Sequence, residues 1–303
     1  MRKRNWKEYN KQLIQRGSIT FLIDPKFLNS KPKESQIYGR PLEFSNALIT
    51  MLMMVKIHFR LTYRALEGFM KSLIALNEWA CTIPSYSLIC KRSAFIKETL
   101  PPLGKCLSQV VLVDASGVKV FGEGEWKVKI HGKSKRRKWV KIHIAIDAKT
   151  QEIVAESTTS SSIKDGKVIQ KLLKEVQGSL DTVIADGAYD DRDAREEIKL
   201  RKASALIPPP RNARLHGIDL DRDDAIRIIR GLGGDKAAKS LWGKLTGYSI
   251  RALVETAFSR MKRLFGERLF SKIEEKQVVE NRLRCHLLNR YLRKRMPDVS
   301  ALG

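Results

Sequence analysis

The sequence predicts an α/β protein in two parts: an all-α domain over residues 1–108, then a mixed five-stranded sheet with flanking helices over residues 109–303. Two observations predict this division. Apolar residues recur at helical spacing before the linker-like stretch Pro101–Gly104, whereas short apolar runs of strand character follow it.

The all-α domain begins with a polar, basic arm, in which a short helix is predicted around Trp6–Gln15. A buried helix is predicted over Phe44–Phe59, another follows Thr62, whose side chain suits an N-cap, and a third opens at Ser85. Two short helices, a tight break and a basic helix resemble a helix-turn-helix, although a plain helical bundle or a dimerisation module gives the same pattern. Candidates for DNA contact in this domain are Tyr86, Lys91 and Arg92.

The second domain opens with three strands that are predicted to form an antiparallel meander. They cover Val110–Phe121 with a break after Asp114, then Trp139–Ile146, then Ile153–Ala155. The later elements are, in order, a helix capped by Asp165, a buried strand at Thr182–Gly187, a helix capped by Asp190 or Asp191, a strand at Ala205–Ile207, a glycine-bearing excursion at 211–247, a helix at Tyr248–Gly266 and a basic helix at Val278–Arg293.

The helix at Tyr248–Gly266 organises the rest of the chain. One face is apolar at the spacing of an amphipathic helix, and Gly266 stands where a C-cap is expected. The opposite face carries Tyr248, Arg251, Glu255 and Lys262 within an arc of roughly 80°. A carboxylate flanked by cations suits a metal and a phosphate, but a solvated face with an i, i+4 Arg–Glu pair gives the same pattern.

Charge and composition restrict the class of partner. The chain has 303 residues, with 58 Lys and Arg against 33 Asp and Glu, so its formal charge is +25. This charge favours a nucleic acid, with an anionic membrane surface as the second candidate. The apolar run Leu48–Ile57 is too short to span a bilayer, and no apolar signal segment follows the basic start. The cysteines show no metal-ligand or disulfide spacing and are expected to be reduced thiols of a cytosolic protein: Cys81, Cys90, Cys106 and Cys285.

The order of strands and helices in the second domain is that of an RNase H-like fold. In that fold the first strand, the fourth strand and a late helix meet at one edge of the sheet, and Asp114, Asp186 and Glu255 take those places. Three converging carboxylates repel one another unless cations lie between them. Two Mg²⁺ ions about 3.5–4 Å apart would satisfy them, and Mn²⁺ can substitute. For the two aspartates the alternative is a strand-end residue that faces a turn.

A resemblance to a known family becomes specific at these residues. The spacing of Tyr248, Arg251, Glu255 and Lys262 is similar to the C-terminal signature of DDE transposases of bacterial insertion sequences, in the superfamily that joins families four and five. The segments Val113–Trp126 and Ala185–Asp190 look like the first and second catalytic blocks of family five, and the resemblance covers nearly the whole chain. One departure is Ala115-Ser116, where Ser-Thr is expected, and it leaves the neighbouring metal ligand untouched.

The resemblance implies a transposase. Asp114, Asp186 and Glu255 would be the metal-binding triad, while Tyr248, Arg251 and Lys262 would contact phosphates of the transposon end. Such an enzyme binds terminal inverted repeats, cleaves the ends and transfers the 3′-hydroxyl to target DNA, as a homodimer on DNA in the bacterial cytoplasm and nucleoid. The resemblance implies neither a membrane partner nor a small-molecule substrate. Two alternatives remain, a catalytically silent DNA-binding relative and a structure-specific nuclease on the same fold.

Other residues are weaker candidates for DNA contact. The basic stretch Lys133–Lys138 either tracks DNA or forms a solvated hairpin, with Lys135, Arg136 and Arg137 as its candidates. Trp242 either stacks on an unpaired base near the cleavage point or packs in the core. His131 and His143 are expected to be polar surface or meander residues and not metal ligands.

Overall fold

The computed structural model of the chain describes residues 5–29, 43–121, 138–217 and 219–293. The chain divides into two compact units, of which the first combines Met1–Pro101 with Ser271–Gly303 and the second covers Pro102–Phe270. This division differs from the predicted one in two ways. The boundary between the units falls after Pro101 and not after residue 108, and the C-terminal segment from Ser271 belongs to the first unit. Lys135, Arg136, Arg137 and His131 lie outside the described residues.

The first unit is built of helices. Three of them start at hydroxyl N-caps: the side chains of Ser45, Thr62 and Ser85 accept hydrogen bonds from backbone N–H groups three residues on. The helices are α1 (Trp6–Arg16), α2 (Ile19–Leu22), α3 (Pro25–Leu28), α4 (Asn46–His58), α5 (Tyr63–Leu76), α6 (Tyr86–Arg92), a 3₁₀ turn (Ile96–Thr99) and the C-terminal α12 (Glu274–Arg293).

The centre of the first unit lies where α4 packs against α12. Apolar side chains of α4 are buried around most of its circumference, as the continuous apolar run in the sequence predicts. By contrast, α12 has a polar sequence but buries much of its length, including the ion pair of Arg284 with Glu280 at 2.7 Å. Glu280 also accepts a hydrogen bond from the backbone N–H of Ser271, which ties the start of this segment to the helix.

The second unit contains the predicted mixed five-stranded sheet, with strand order β3-β2-β1-β4-β5. The first three strands are antiparallel, whereas β4 lies parallel to β1 and β5 parallel to β4. The predicted break after Asp114 is absent, because β1 pairs continuously with β2 as far as Lys119. The strands are β1 (Val110–Phe121), β2 (Lys138–Asp147), β3 (Ile153–Ser160), β4 (Thr182–Ala185) and β5 (Ser204–Leu206).

Helices flank the sheet and fill the predicted excursion. Asp165 does not cap a helix as expected: it starts a 3₁₀ turn and forms an ion pair with Lys141 at 2.8 Å. Asp191 caps the helix that follows β4. Two helices occupy the excursion, where the sequence indicated only a polar segment. The helices are α7 (Ile169–Glu175), α8 (Arg192–Leu200), α9 (Leu220–Gly231), α10 (Lys236–Leu245) and α11 (Ala252–Phe265).

The organising helix has two parts, because Tyr248–Arg251 forms a 3₁₀ turn before α11 begins. Gly247 precedes it with a left-handed φ of 75°, which favours glycine and separates it from α10. Helix α11 ends at Gly266, as predicted, and packs against β1. In the described ranges, no helix has the length and apolar character needed to cross a membrane.

Candidate active site

The two aspartates of the predicted triad lie where the parallel pairing of β1 with β4 ends: Asp114 is inside β1, and Asp186 follows β4. The pairing of β1 with β4 ends at Val113 opposite Ala185, so Asp114 and Asp186 each come directly after the last paired residue. Because parallel strands run in the same direction, both residues lie at the same end of the β1–β4 pairing. The structure therefore brings together two residues that are 72 positions apart in the sequence, 186 − 114.

Each aspartate has one carboxylate oxygen engaged by a nearby backbone N–H. An oxygen of Asp114 accepts from Ala115 at 2.8 Å. An oxygen of Asp186 accepts from Ala188 at 3.0 Å and so caps the 3₁₀ turn Gly187–Tyr189. These local bonds orient both side chains before any ligand is bound.

Arg251 joins the sheet to the organising helix. Its guanidinium donates to Asp114 Oδ2 at 2.8 Å and to Glu255 Oε1 at 2.5 Å. The Arg251 and Asp114 side chains are mostly covered, at 20% and 15% exposure, whereas Glu255 is 59% exposed. The i, i+4 pair considered from the sequence is therefore present, but it extends across the fold to Asp114.

The three carboxylates influence one another electrostatically. Burial raises the pKa of Asp114 above its ordinary value, and the negative charges of Asp186 and Glu255 raise it further. The Ala115 N–H and the positive charge of Arg251 act in the opposite direction. Asp186 and Glu255 thus both lie close enough to Asp114 for their charges to act on its carboxyl group.

A cavity of about 560 Å³ opens beside these groups, and Asp114, Glu255 and Lys262 line it together with Ser116 and Ser259. No ion pair or hydrogen bond of the Lys262 side chain is found in the part of the chain that the structure describes. Lys262 therefore differs from Arg251, whose guanidinium is already bonded to two carboxylates.

The donor set suits a divalent metal, because Mg²⁺ prefers carboxylate oxygens. In the described ranges, however, no three His, Cys, Asp or Glu side chains are gathered closely enough to hold one ion. The guanidinium of Arg251 is bonded to both Asp114 and Glu255. These two carboxylates would have to release Arg251 before they shared an ion.

Tyr248 and Trp242 pack against each other beside Arg251. Their ring centroids are 5.4 Å apart, and the Arg251 guanidinium lies 5.9 Å from the Tyr248 ring. Burial raises the pKa of Tyr248 to about 12. Trp242 is only 1% exposed, so base stacking, one of the two roles considered from the sequence, does not fit this structure. Its role is core packing.

The candidates in the first unit differ in exposure. Lys91 is exposed, and the exposed Tyr86 ring lies 4.7 Å from the Arg64 guanidinium. Arg92 instead donates to the backbone oxygen of Phe44 and to Asn46 Oδ1, at the start of α4. These bonds tie α6 to the start of α4, so the Arg92 guanidinium, a candidate for DNA contact from the sequence, is engaged within the protein.

His143 is a residue of the meander, one of the two positions expected from the sequence, but it is not a surface residue. It is fully buried in β2, where its ring nitrogens contact the Tyr189 hydroxyl at 3.2 Å and Thr159 Oγ1 at 2.9 Å. Burial lowers the pKa of His143 to about 4. Tyr189 belongs to the turn after Asp186, so His143 supports that turn from beneath. A strand of alternating polarity in the sequence does not reveal this contact.

Comparison with known proteins identifies matches over most of the chain. A family model described as a transposase DDE domain matches residues 105–290, and a second model with the same description matches residues 14–123. Among solved structures, the chain is similar to a piggyBac transposase synaptic complex with hairpin DNA, at 10% identity and a TM-score of 0.46, covering 95% of this chain and 73% of that one. It also matches a Mos1 transposase paired-end complex with the left transposon end, at 10% identity and a TM-score of 0.25, covering 84% and 82%. Both TM-scores are below 0.5, so neither likeness establishes a shared fold.

Proposed function

The chain belongs to the family of DDE transposases, and from that premise we propose that it binds the terminal inverted repeats of a bacterial insertion sequence of family five, cleaves the phosphodiester bonds at the element ends and joins the freed 3′-hydroxyl to target DNA. One observation carries the proposal. Asp114 and Asp186 lie just past the last paired residues of the parallel strands β1 and β4, and Arg251 ties Glu255 to Asp114. A pair of ends needs a pair of sites, so the enzyme works as a homodimer on DNA, in the bacterial cytoplasm with the nucleoid.

The proposed architecture is an RNase H-like catalytic domain with a helical, helix-turn-helix-like unit for end recognition. The sheet order β3-β2-β1-β4-β5, with its antiparallel and parallel pairs, supports the first part. The exposed side chains of Tyr86 and Lys91 on α6 support the second.

In this proposal Asp114, Asp186 and Glu255 hold Mg²⁺ ions, with Mn²⁺ as a substitute. The ions would supply activation of the attacking oxygen and stabilisation of the leaving oxygen in an in-line displacement. The chain's own groups bind and orient the strand. Lys262 lines the cavity, has no ion pair or hydrogen bond to another described side chain, and binds a phosphate next to the scissile one.

Tyr248 acts as a hydrogen-bond donor in this scheme. With a pKa of about 12, its phenol stays protonated at neutral pH. A protonated phenol is a poor nucleophile but donates a hydrogen bond to a phosphate oxygen. In keeping with the DDE family, the proposal assigns the nucleophilic role to water and the 3′-hydroxyl, without a covalent enzyme–DNA intermediate.

Single substitutions test the triad. Asp114→Ala, Asp186→Ala or Glu255→Ala should abolish cleavage of a plasmid that carries the DNA flanking the coding sequence, while DNA affinity in gel-shift titrations stays largely intact. Glu196→Ala, on the exposed face of α8, is the matched control and should cleave like the parent. Nicking by Glu255→Ala in Mg²⁺ would show that Glu255 is not the third ligand.

Product analysis separates the proposal from its alternatives. A transposase yields joined strand-transfer products, a structure-specific nuclease yields cleaved DNA alone, and a silent relative yields bound DNA only.

A further inference from the structure

A buried ion network lies behind the turn that carries Asp186. The carboxylate of Asp190, 2% exposed, accepts from Arg195 Nε at 2.7 Å and from Arg222 Nε at 3.2 Å. Arg195, 5% exposed, also donates to Asp219 at 3.2 Å and to the backbone oxygen of Ile207 at 3.0 Å. The Asp190 carboxylate thus joins helix α8 to the first turn of α9, and Arg195 extends the network to the segment after β5.

Asp190 is connected to Asp186 by a single tight turn. The backbone N–H of Asp190 donates to the Gly187 carbonyl at 3.2 Å, and that of Tyr189 donates to the Asp186 carbonyl at 3.1 Å. The turn also lies close to the segment after β5, because a Cβ at Gly187 would be 3.2 Å from the Pro208 carbonyl oxygen. A shift of Asp190 would therefore move Asp186.

The excursion is also held at its other end, beside Arg251. Trp242 of α10 packs on Tyr248, and a Cβ at Gly243 would be only 3.4 Å from the Tyr248 ring. The excursion thus runs between two anchors, the Asp190 network near Asp186 and the Trp242–Tyr248 contact near Arg251 and Glu255.

We propose that Asp190 is a positioning residue, which sets the place of Asp186 relative to Glu255 by fixing the Asp186 turn to the base of the excursion through Arg195 and Arg222. The proposal rests on the proposed function of the triad. Breaking a buried ion pair leaves an uncompensated charge, and a displacement of about 1 Å at a catalytic group costs about 100-fold in rate. Asp190 itself touches no reacting atom.

The test compares Asp190→Asn with the parent in the full-length chain, on a plasmid that carries the DNA flanking the coding sequence. We expect kcat for cleavage to fall about 100-fold while KM for DNA is unchanged, and the Mg²⁺ concentration for half-maximal rate to rise. Hydrogen–deuterium exchange of peptides that cover 183–191 should become faster in the variant. Asp193→Asn, at an exposed position on α8 three residues further along, makes the same charge change and should match the parent.

Two further variants guard against a simple loss of folding. The Arg222 side chain is 15% exposed, more than that of Asp190, so Arg222→Gln should disturb the network with a smaller loss of folding stability. It replaces Asp190→Asn in the test if that variant does not fold. It should lower kcat in the same way, whereas Arg222→Lys should recover most of the rate. The double variant Asp190→Asn with Arg222→Gln should be no slower than Asp190→Asn alone, because both act on one contact.

The outcomes separate the two proposals. Folded variants with a kcat within about twofold of the parent, or with a loss in KM alone, would overturn the role of Asp190. If the parent cleaves no DNA in Mg²⁺ or Mn²⁺, the proposed function itself fails, and hydrogen exchange still reports whether Asp190 fixes the turn.

Discussion

The sequence predicts the same role for Arg251 and Lys262, contact with DNA phosphates, since both lie on the Glu255 face of one helix. The structure separates them. Arg251 is bonded to Asp114 and Glu255, whereas Lys262 lines the cavity without a partner among the described side chains. The Arg251 guanidinium stabilises the Asp114 and Glu255 carboxylates in the unliganded protein, whereas the Lys262 ammonium, unpaired among the described residues, is available to a phosphate.

Lys262→Ala should slow cleavage by roughly 10- to 150-fold at subsaturating DNA, because one charge-assisted contact of about 1.5–3 kcal/mol is lost. Extra Mg²⁺ should not restore the rate. Lys244→Ala, exposed on α10, is the control and should have no effect. Recovery of Lys262→Ala to the parent rate at high Mg²⁺ would mean that Lys262 serves the metal site and not the DNA.

Arg251→Ala should also slow cleavage, but for a different reason that the Mg²⁺ dependence reveals. Removal of the guanidinium leaves Asp114 and Glu255 without their shared counter-ion. A divalent ion can replace that charge, so high Mg²⁺ should offset part of the loss. Cleavage rates against Mg²⁺ concentration measure this effect. A defect that is the same at every Mg²⁺ concentration would mean that Arg251 acts only by contacting DNA.

The buried His143 should make the free energy of unfolding of the protein decrease in acid. Its pKa is about 4 in the folded state against 6.5 for the unperturbed group, so the unfolded chain binds the extra proton between these values. The stabilisation is complete above pH 6.5 and is lost as the pH falls towards 4, on the order of 3 kcal/mol in total. Urea unfolding of the parent and His143→Asn between pH 4 and 7 should give curves that converge at low pH. Parallel curves would exclude His143 as the cause.

At the scale of elements, α12 shows how far a helix can depart from its local pattern. Its sequence is basic and polar, and the sequence placed it with the sheet. In the structure it packs with α4 in the first unit. A fragment of residues 1–108 therefore lacks part of its own core, so end recognition is better tested in the whole chain.

Leu287→Ala tests the contribution of α12 to the first unit. Leu287 is fully buried, and truncation of a buried leucine to alanine costs about 2–5 kcal/mol. Leu76→Ala, at 82% exposure in the same unit, makes the same chemical change and should cost little. Urea unfolding followed by circular dichroism measures both. Equal midpoints would show that α12 is not part of the cooperative core.

At the scale of the whole molecule, the charge of +25 predicts the form of DNA binding. Phosphate contacts release counter-ions, so affinity should fall steeply with salt, by about 10³- to 10⁵-fold between 50 and 200 mM if 6–10 phosphates are contacted. Lys262→Ala should reduce the slope of log affinity against log salt by about one. Fluorescence anisotropy with the flanking DNA measures both slopes, and a flat response would mean that the charge does not contact phosphates.

The sequence by itself determined the local elements, and it predicts the triad Asp114, Asp186 and Glu255. Hydroxyl caps, helical spacing and short apolar runs are local signals, and they located α4, α5, α6 and the strands to within a few residues. The nearness of Asp114 and Asp186 also followed, because both come directly after the last paired residues of two parallel strands, although β1 itself continues past Asp114.

Only the tertiary structure decided the contacts across the fold. Arg251 bonds Asp114, 137 residues away, and Asp190 bonds Arg222, 32 residues away. The burial of Trp242, the position of His143 beneath Tyr189 and the association of α12 with α4 depend in the same way on distant partners. The physical reason is that side-chain pairing and burial depend on which surfaces meet in three dimensions, whereas a sequence pattern reports only the neighbours along one helix or strand.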